Sequence, residues 1–294
     1  MKENCALKIR IRALCLRGAS GGTGLGGTPL RGALQSGEPV LNTGARPQVR
    51  IHSEKGSFSM SNTLTEWFRH VPEEKWLRDP AASRADAEAI WEKLDLKPGV
   101  RVFECPCGKA DLGFPLARSG ACVQGIDFNS HFVTAARNKF GRAGLAGEFK
   151  TADMRTAEFP ENMDLIVNWA SSFGYFSDEA NADLLKRFAA SLAPGGRLLI
   201  EVANPSRVLA GEATRLIASG EQVCETWDPA TKRASVIFPA TEYRGPVSAS
   251  VRVYSCDEYR EMLEAAGLTL VDFYGQGFAP FTAASPRLIV LAKK

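Results

Sequence analysis

No run of 18 consecutive apolar residues occurs in this chain of 294 residues, so the sequence offers no candidate for a membrane-spanning helix. Histidine is scarce, and the seven cysteines (Cys5, Cys15, Cys105, Cys107, Cys122, Cys224, Cys256) are odd in number and scattered. That distribution does not describe a disulfide framework, and a reducing, cytoplasmic setting is the expectation. Cys105 and Cys107 form a C-x-C pair with no second pair and no neighbouring histidine, so a zinc site lacks ligands and buried, inert thiols are expected. His131 falls in the first turn of an expected helix and reads as a surface residue, and His70 precedes the core.

A surplus of positive charge is also missing from most of the chain. Residues 1–59 hold nine Lys or Arg against three acids, which leaves 27 basic and 30 acidic residues in the remainder. The overall charge of +3 therefore belongs to the N-terminal stretch, and a nucleic-acid partner is not expected. That stretch carries ten of the 27 glycines, as in "GASGGTGLGGTPLRG", without helical or strand periodicity. It reads as a disordered, basic, Gly-rich tail. Three readings of it stand side by side: a disordered arm, an organelle transit peptide, or sequence upstream of a functional start at Met60. "LKIRIRALCLRG" is Arg-rich and acid-poor but has no long apolar core, so it is not a secretory signal.

What is present from residue 60 onward is enough to build a full core, with 45% hydrophobic residues over the chain. Residues 60–99 are expected to hold N-terminal helices, "WFRHVPEEKW" and "SRADAEAIWEKLDL", the second with Ala87, Ile90, Trp91 and Leu94 on one face. Strand and helix then alternate. "GVRVFEC", "CVQGID", "GEFKTAD", "MDLIVNW" and "RLLIEVAN" read as strands. "ADLGFPLARSG", "SHFVTAARNKFGRAG" and "DEANADLLKRFAASLAPGG" read as helices, the last with a Pro-Gly-Gly stop. Such alternation predicts an α/β fold, a mostly parallel, doubly wound, Rossmann-like sheet of seven strands. Ligands of such sheets bind at the carboxyl ends of the strands, where the turn "ECPCGKA" falls. Between residues 206 and 255 apolar and polar residues alternate around turn signals such as "DPATK", which predicts an antiparallel insertion. "CDEYREMLEAAG" is then a helix, and "LTLVDFYG" and "RLIVLAK" finish the sheet as an antiparallel hairpin-like edge.

The turn after the first strand admits two ligand classes. Gly108, Ala110 and Gly113 occupy the positions of a dinucleotide fingerprint, and Asp127 follows at about the spacing of a ribose-binding acid. An alanine at the second position obstructs approach to a pyrophosphate, so a nicotinamide site is a poor fit. A ligand with a ribose and no pyrophosphate fits better. The ordered series "VFECPCGKA", "GIDFN", "TADM", "MDLIVNWASSFGYF" and "LAPGGRLLIEVAN", continued by "VYSCDEYREMLEAAGLTLVDFYG" and "SPRLIVLAKK", resembles the class I S-adenosylmethionine-dependent methyltransferases over roughly residues 65–294. It is most similar to the small-molecule branch with a "SFGYF"-like segment after strand four.

The resemblance implies S-adenosylmethionine as cofactor. It places Glu104, Cys105, Pro106, Cys107, Gly108 and Ala110 around the methionine moiety, and Asp127 with Phe128 at the ribose. Asp153 with Met154 would meet the adenine, and Asn168 with Trp169 would end strand four beside the cofactor. The family usually has glycine at the position of Ala110 and often at that of Pro106, and more often aspartate than glutamate at that of Glu104. Phe173 and Tyr175 follow a strand's carboxyl end, where substrate should lie, and Tyr175 is the one catalytic candidate. By analogy the insertion forms a lid lined by Trp227, Tyr243, Arg252 and Tyr254. A methyltransferase acting on a nitrogen or oxygen of a small metabolite is expected, with no metal, no nucleic acid and no membrane partner, and a homodimer is compatible with it. Absence of a confident base favours an amine over a hydroxyl acceptor, and "NWAS" is not the Asn-Pro-Pro-aromatic motif of adenine methylation in DNA. The alternatives are a catalytically silent binding protein of the same fold and, third, an NAD(P)-dependent oxidoreductase.

Overall fold

The computed structural model describes residues 79–209, 224–238 and 247–294. The tail, the "WFRHVPEEKW" segment, His70 and Tyr243 lie outside the described residues. In chain order the strands are β1 (Arg101–Glu104), β2 (Cys122–Asp127), β3 (Gly147–Thr151), β4 (Met163–Asn168), β5 (Leu192–Ala203), β6 (Cys224–Asp228), β7 (Arg233–Phe238), β8 (Val247–Arg252), β9 (Thr269–Tyr274) and β10 (Arg287–Lys293). The helices are α1 (Pro80–Lys93), α2 (Gly113–Arg118), α3 (Ser130–Arg142), α4 (Asp178–Ser191), α5 (Pro205–Leu209) and α6 (Cys256–Ala265).

Seven strands form one mixed sheet in the order β3-β2-β1-β4-β5-β10-β9, and β6-β7-β8 form a separate antiparallel sheet. The first five strands of the large sheet run parallel, and β10 is antiparallel to both β5 and β9. The last two strands therefore do not simply extend the edge, because β10 is inserted between β5 and β9. Seven residues of β10 pair with β5, and their burial explains the order: Leu288 through Ala292 are all in the core, which an edge position would leave half-covered.

Side chains on the two faces of the sheet feed two cores. Val102, Leu165, Val167, Leu199 and Leu291 pack with Ala87, Ile90, Val133, Ala136 and Phe140 on one side. Phe103, Ile166, Leu198, Ile200 and Val290 pack with Leu184, Leu185, Phe188 and Leu263 on the other. The helices begin where their caps dictate. Asp79 accepts from Ala81 N ahead of Pro80, Asn129 accepts from His131 N and Phe132 N, and Ser255 with Glu258 makes a full capping box on α6. Two sequence expectations shift. The segment 110–120 is helical only over Gly113–Arg118, because Ala110 takes a left-handed conformation (φ 52°) inside the preceding turn. The Pro-Gly-Gly element does not lie between helix and strand, for β5 already begins at Leu192 and carries it, pairing Met163 with Leu192 across a register shift.

Candidate active site

The carboxyl ends of β1, β2 and β4 lie side by side in the sheet, and the loops leaving them share that edge. After Glu104 the chain continues along the sheet: Cys105 N bonds Val167 O at 2.9 Å and Cys107 N bonds Ile126 O at 2.8 Å, so these two residues still bridge the neighbouring strands. Their thiols go to opposite cores, Cys105 with Phe103 and Ile166, Cys107 with Val123 and Val133. Burial pushes both thiols well above the ordinary range, with Asp127 adding to the effect. This favours the protonated thiols at neutral pH, and among the described residues no group of three or more His, Cys, Asp or Glu is placed to hold a metal ion. The Cys105–Pro106 peptide is cis.

The chain then turns at Gly108, which has φ 51° and open space where a Cβ would project. A left-handed turn suits glycine, and the open side lets a ligand reach the backbone. Ala110 behaves otherwise from what its place in the motif suggests. It is wholly buried with Leu112, Leu116 and Ala136, so its methyl fills the core. Glycine is demanded one step further on, where a Cβ on Gly113 would stand 2.5 Å from Glu104 Oε2. Gly113 N donates to that same oxygen at 3.1 Å, and Glu104 is only 4% exposed. Glu104 thus holds the start of α2, and its longer side chain occupies space that a smaller acid would leave.

Asp127 ends β2 and ties two loops together. Its Oδ2 accepts from Gly108 N and its Oδ1 from Asn129 N, each at 2.8 Å. Burial pushes the carboxyl up to about 6, against these backbone donors and that of Phe128, which pull it down. Asp153, two residues past β3, is engaged by Arg155 through both carboxylate oxygens. Its burial raises the carboxyl, but the Arg155 hydrogen bonds outweigh this and hold it below the usual range. The Arg155 guanidinium also stands 5.0 Å from the centre of the Phe176 ring. Met154 is buried, and its carbonyl accepts from Arg187 of α4.

At the end of β4, Asn168 is fully buried; its Nδ2 donates to Cys105 O at 2.8 Å, while Oδ1 has no hydrogen-bond partner. A buried unpartnered acceptor costs about 1–3 kcal/mol, and one at the carboxyl end of a central strand is suited to a ligand donor. Trp169 donates its indole N–H to Asp86 of α1 at 3.1 Å. Ala170 and Ser171 then take φ 60° and 58°, two consecutive left-handed residues with side chains. Strain of this kind persists only where the surroundings impose it. Here Ala170 N is bound by Glu201 Oε2 at 2.8 Å and Ser171 N by Glu201 O at 2.9 Å.

The segment Phe173–Phe176 follows. Phe173 is buried against Tyr254 and Tyr259 in the core. Tyr175 is half-buried. Burial pushes its phenol up to about 12; a hydrogen bond with Ser172 and the Arg287 charge oppose this, and the Asp127 charge adds to it. This favours the protonated phenol at neutral pH, which can donate a hydrogen bond.

Of the residues expected on the insertion, Trp227 lies on β6 opposite Ala234, and Tyr243 is outside the described residues. Arg252 and Tyr254 are placed otherwise than as a pocket wall. Arg252 is 7% exposed and pairs with Glu258 at 2.5 Å and Asp178 at 3.1 Å. Tyr254 donates to Asp178 at 2.8 Å and accepts from Asn181 at 2.9 Å. These contacts fasten β8 to α4 and α6. The sequence reading did not single out Asp86, Glu201, Arg233 or Arg287. Glu201 carried a visible signal, as the one charged residue inside the apolar run "LLIEVA". The other three carried none, because each is brought in from a distant element.

Residues 102–196 match the family model of a methyltransferase domain. Phosphoethanolamine N-methyltransferase 1 of Zea mays is 32% identical over 110 residues, which is 37% of this chain and 22% of that protein. Ubiquinone biosynthesis O-methyltransferase of Nitrobacter winogradskyi is 27% identical over 135 residues, 44% of this chain and 48% of that protein. The matches thus span about a fifth and about half of these relatives' lengths. Among solved structures, an S-adenosylmethionine-dependent methyltransferase from Clostridium acetobutylicum shares the fold, with 16% identity, a TM-score of 0.57 and coverage of 76% of this chain and 92% of that one. The segment matched by the family model is the one that builds β1 to β4 and the loops at their carboxyl ends, and over that segment the chain is similar to a methyltransferase domain.

Proposed function

We propose that the protein transfers a methyl group from S-adenosylmethionine to a nitrogen, or second to an oxygen, of a small metabolite. The observation that carries the cofactor half of this reading is Asp127. Its carboxylate joins the loops after β1 and β2 through Gly108 N and Asn129 N, and its remaining lone pairs suit a pair of vicinal hydroxyls. The open side of Gly108 and the unpartnered Oδ1 of Asn168 fit the same ligand. Because the Ala110 methyl is in the core, the departure from glycine there is no obstacle to a ligand at these strand ends, and it does not by itself exclude a pyrophosphate.

S-adenosylmethionine supplies, when bound, an electrophilic methyl group on a sulfonium. The work left to this chain is alignment and exclusion of water. Gly108, Asp127 and Asn168 would hold the ligand from the strand ends, and Asp153 with Met154 would flank its adenine. Tyr175 and the strained turn at Ala170–Ser171 would face the acceptor. A Tyr175 phenol that favours its protonated form supports an amine that reacts in its neutral form over a hydroxyl that must first be deprotonated. Among the described residues no helix is long and apolar enough to cross a membrane, and residues 60–294 are proposed as the working unit.

Calorimetric titration of S-adenosylmethionine, S-adenosylhomocysteine and NAD into the full chain tests the reading. Binding of the first two near micromolar, about −8 kcal/mol, with none of NAD, is expected. Transfer of labelled methyl from S-adenosylmethionine to a panel of small amines and phenols, phosphoethanolamine among them, then separates nitrogen from oxygen acceptors. Cofactor binding without transfer to any acceptor would favour a silent binding protein. Failure of both adenosyl ligands to bind a folded sample would overturn the proposal.

A further inference from the structure

Three consecutive backbone carbonyls of the loop that carries Tyr175 converge on a single guanidinium. Arg233, the first residue of β7, donates from Nη1 to Phe176 O at 3.1 Å and from Nη2 to Tyr175 O at 3.1 Å and Gly174 O at 3.4 Å. The same side chain reaches β8, with Ser250 O at 3.0 Å and Ser250 Oγ at 3.0 Å. A second tie runs beside it, since Arg252 N donates to Gly174 O at 2.8 Å. Gly174 has φ 101°, and a Cβ there would lie 2.3 Å from the Arg252 carbonyl oxygen. Loop and small sheet are therefore in backbone contact, with the arginine fork spanning the joint.

This arginine is used in an unusual way. Among the described residues no carboxylate pairs with it, and its partly buried guanidinium is spent on carbonyls of one loop and one strand. Burial lowers its pKa below the ordinary arginine value. Desolvating a cation is costly for stability, offset here only in part by the nearby charge of Asp178, whereas a planar fork with five donors is suited to fixing several acceptors at once. We propose that Arg233 is a positioning residue that holds the Gly174–Phe176 segment on the small sheet and so fixes where the Tyr175 side chain stands. The inference rests on the reading of Tyr175 as an acceptor-side group.

The test needs no knowledge of the acceptor. In full-length protein labelled with ¹³Cζ-tyrosine, the Tyr175 resonance is assigned by its disappearance in Tyr175→Phe and followed by NMR between pH 7 and 11. It should stay untitrated in the wild type. In Arg233→Met it should titrate closer to the ordinary tyrosine value of 10.0, and Arg233→Lys, which keeps the charge but not the fork, should fall between. Affinity for S-adenosylhomocysteine should stay within about a factor of two in both variants, because the cofactor contacts lie on other loops. A Tyr175 resonance in folded Arg233→Met that remains untitrated to pH 11 would overturn the proposal. So would a tenfold loss of S-adenosylhomocysteine affinity in step with the release of Tyr175, which would mark a general structural role. Should Arg233→Met not fold, the same criteria are applied to Arg233→Lys. A wild type that fails to bind S-adenosylhomocysteine counts against the cofactor reading alone and leaves the Tyr175 titration readable.

Discussion

Glu201, inside β5, and Arg287, the first residue of β10, form a two-pronged ion pair at the carboxyl end of the sheet, the carboxylate 6% and the guanidinium 21% exposed. The pair sits on antiparallel neighbours, and Glu201 has a second duty, since the same Oε2 accepts from Ala170 N. Removing the cation leaves a buried carboxylate without its counter-charge. We expect Arg287→Met to cost about 3 kcal/mol in urea unfolding, and Glu201→Gln, which can still accept from Ala170 N, to cost clearly less. Equal losses in the two variants would show that an unpaired guanidinium costs as much there as an unpaired carboxylate.

We expect Asp127 to make the proposed cofactor site sensitive to mild acid. Its carboxyl is raised from 3.8 to about 6 in the folded, ligand-free protein. The folded state therefore holds a proton between pH 4 and 6 that the unfolded chain has released, so this group's contribution to stability is present at low pH and lost as pH rises through 6. Ligand binding runs the other way, because hydroxyl donors require the ionised carboxylate. Affinity for S-adenosylhomocysteine should be flat above pH 7 and weaken toward tenfold per unit below 6. Calorimetry from pH 5 to 8 would show this in the wild type, and Asp127→Asn should bind weakly with no such break. A flat wild-type profile would remove Asp127 from the ribose site.

Two glycines with positive φ should respond differently to alanine. At Gly174 the added methyl meets the Arg252 carbonyl at 2.3 Å, and at Gly108 it meets nothing within 4 Å. Both substitutions pay about 1–2 kcal/mol for the left-handed backbone. Gly174→Ala must in addition part the loop from the small sheet, so its thermal unfolding midpoint should drop further than that of Gly108→Ala. Gly108→Ala should instead lose cofactor affinity if, as proposed, the ligand occupies the open space its methyl would enter.

How much of this could be read from the sequence differs by element, for physical reasons. The alternating strands and helices were legible because a parallel sheet covered on both faces demands continuous apolar strands such as "LIVN" and "LLIEV", and because caps such as Asn129 and Ser255 mark helix starts. The place of Asp127 was legible from its position after an apolar strand. The direction of the Ala110 methyl was not, since a motif gives spacing and not the sign of φ. Arg252 and Tyr254 were expected to line a lid but are spent on Asp178, Glu258 and Asn181. The arginine side chain that reaches the Gly174–Phe176 loop is that of Arg233. Which of two arginines on adjacent antiparallel strands points to a given loop depends on register, and the register of a short polar sheet is weakly written in its sequence.

Asn168 allows the most direct separation of folding from binding. Its two amide ends have different fates, Nδ2 bonded to Cys105 O and Oδ1 without a partner in a fully buried position. An apolar replacement leaves the Cys105 carbonyl unsatisfied, a loss of about 1 kcal/mol, but it also relieves the protein of an orphaned acceptor. The net change in unfolding free energy of Asn168→Val should therefore be small. If Oδ1 is reserved for a ligand donor, the same substitution should weaken S-adenosylhomocysteine binding by about tenfold or more, the equivalent of 1.4 kcal/mol. Unfolding in urea and calorimetric titration of this one variant decide the matter: a large stability loss with unchanged affinity would make Asn168 a structural residue, and the reverse would place it in the cofactor site.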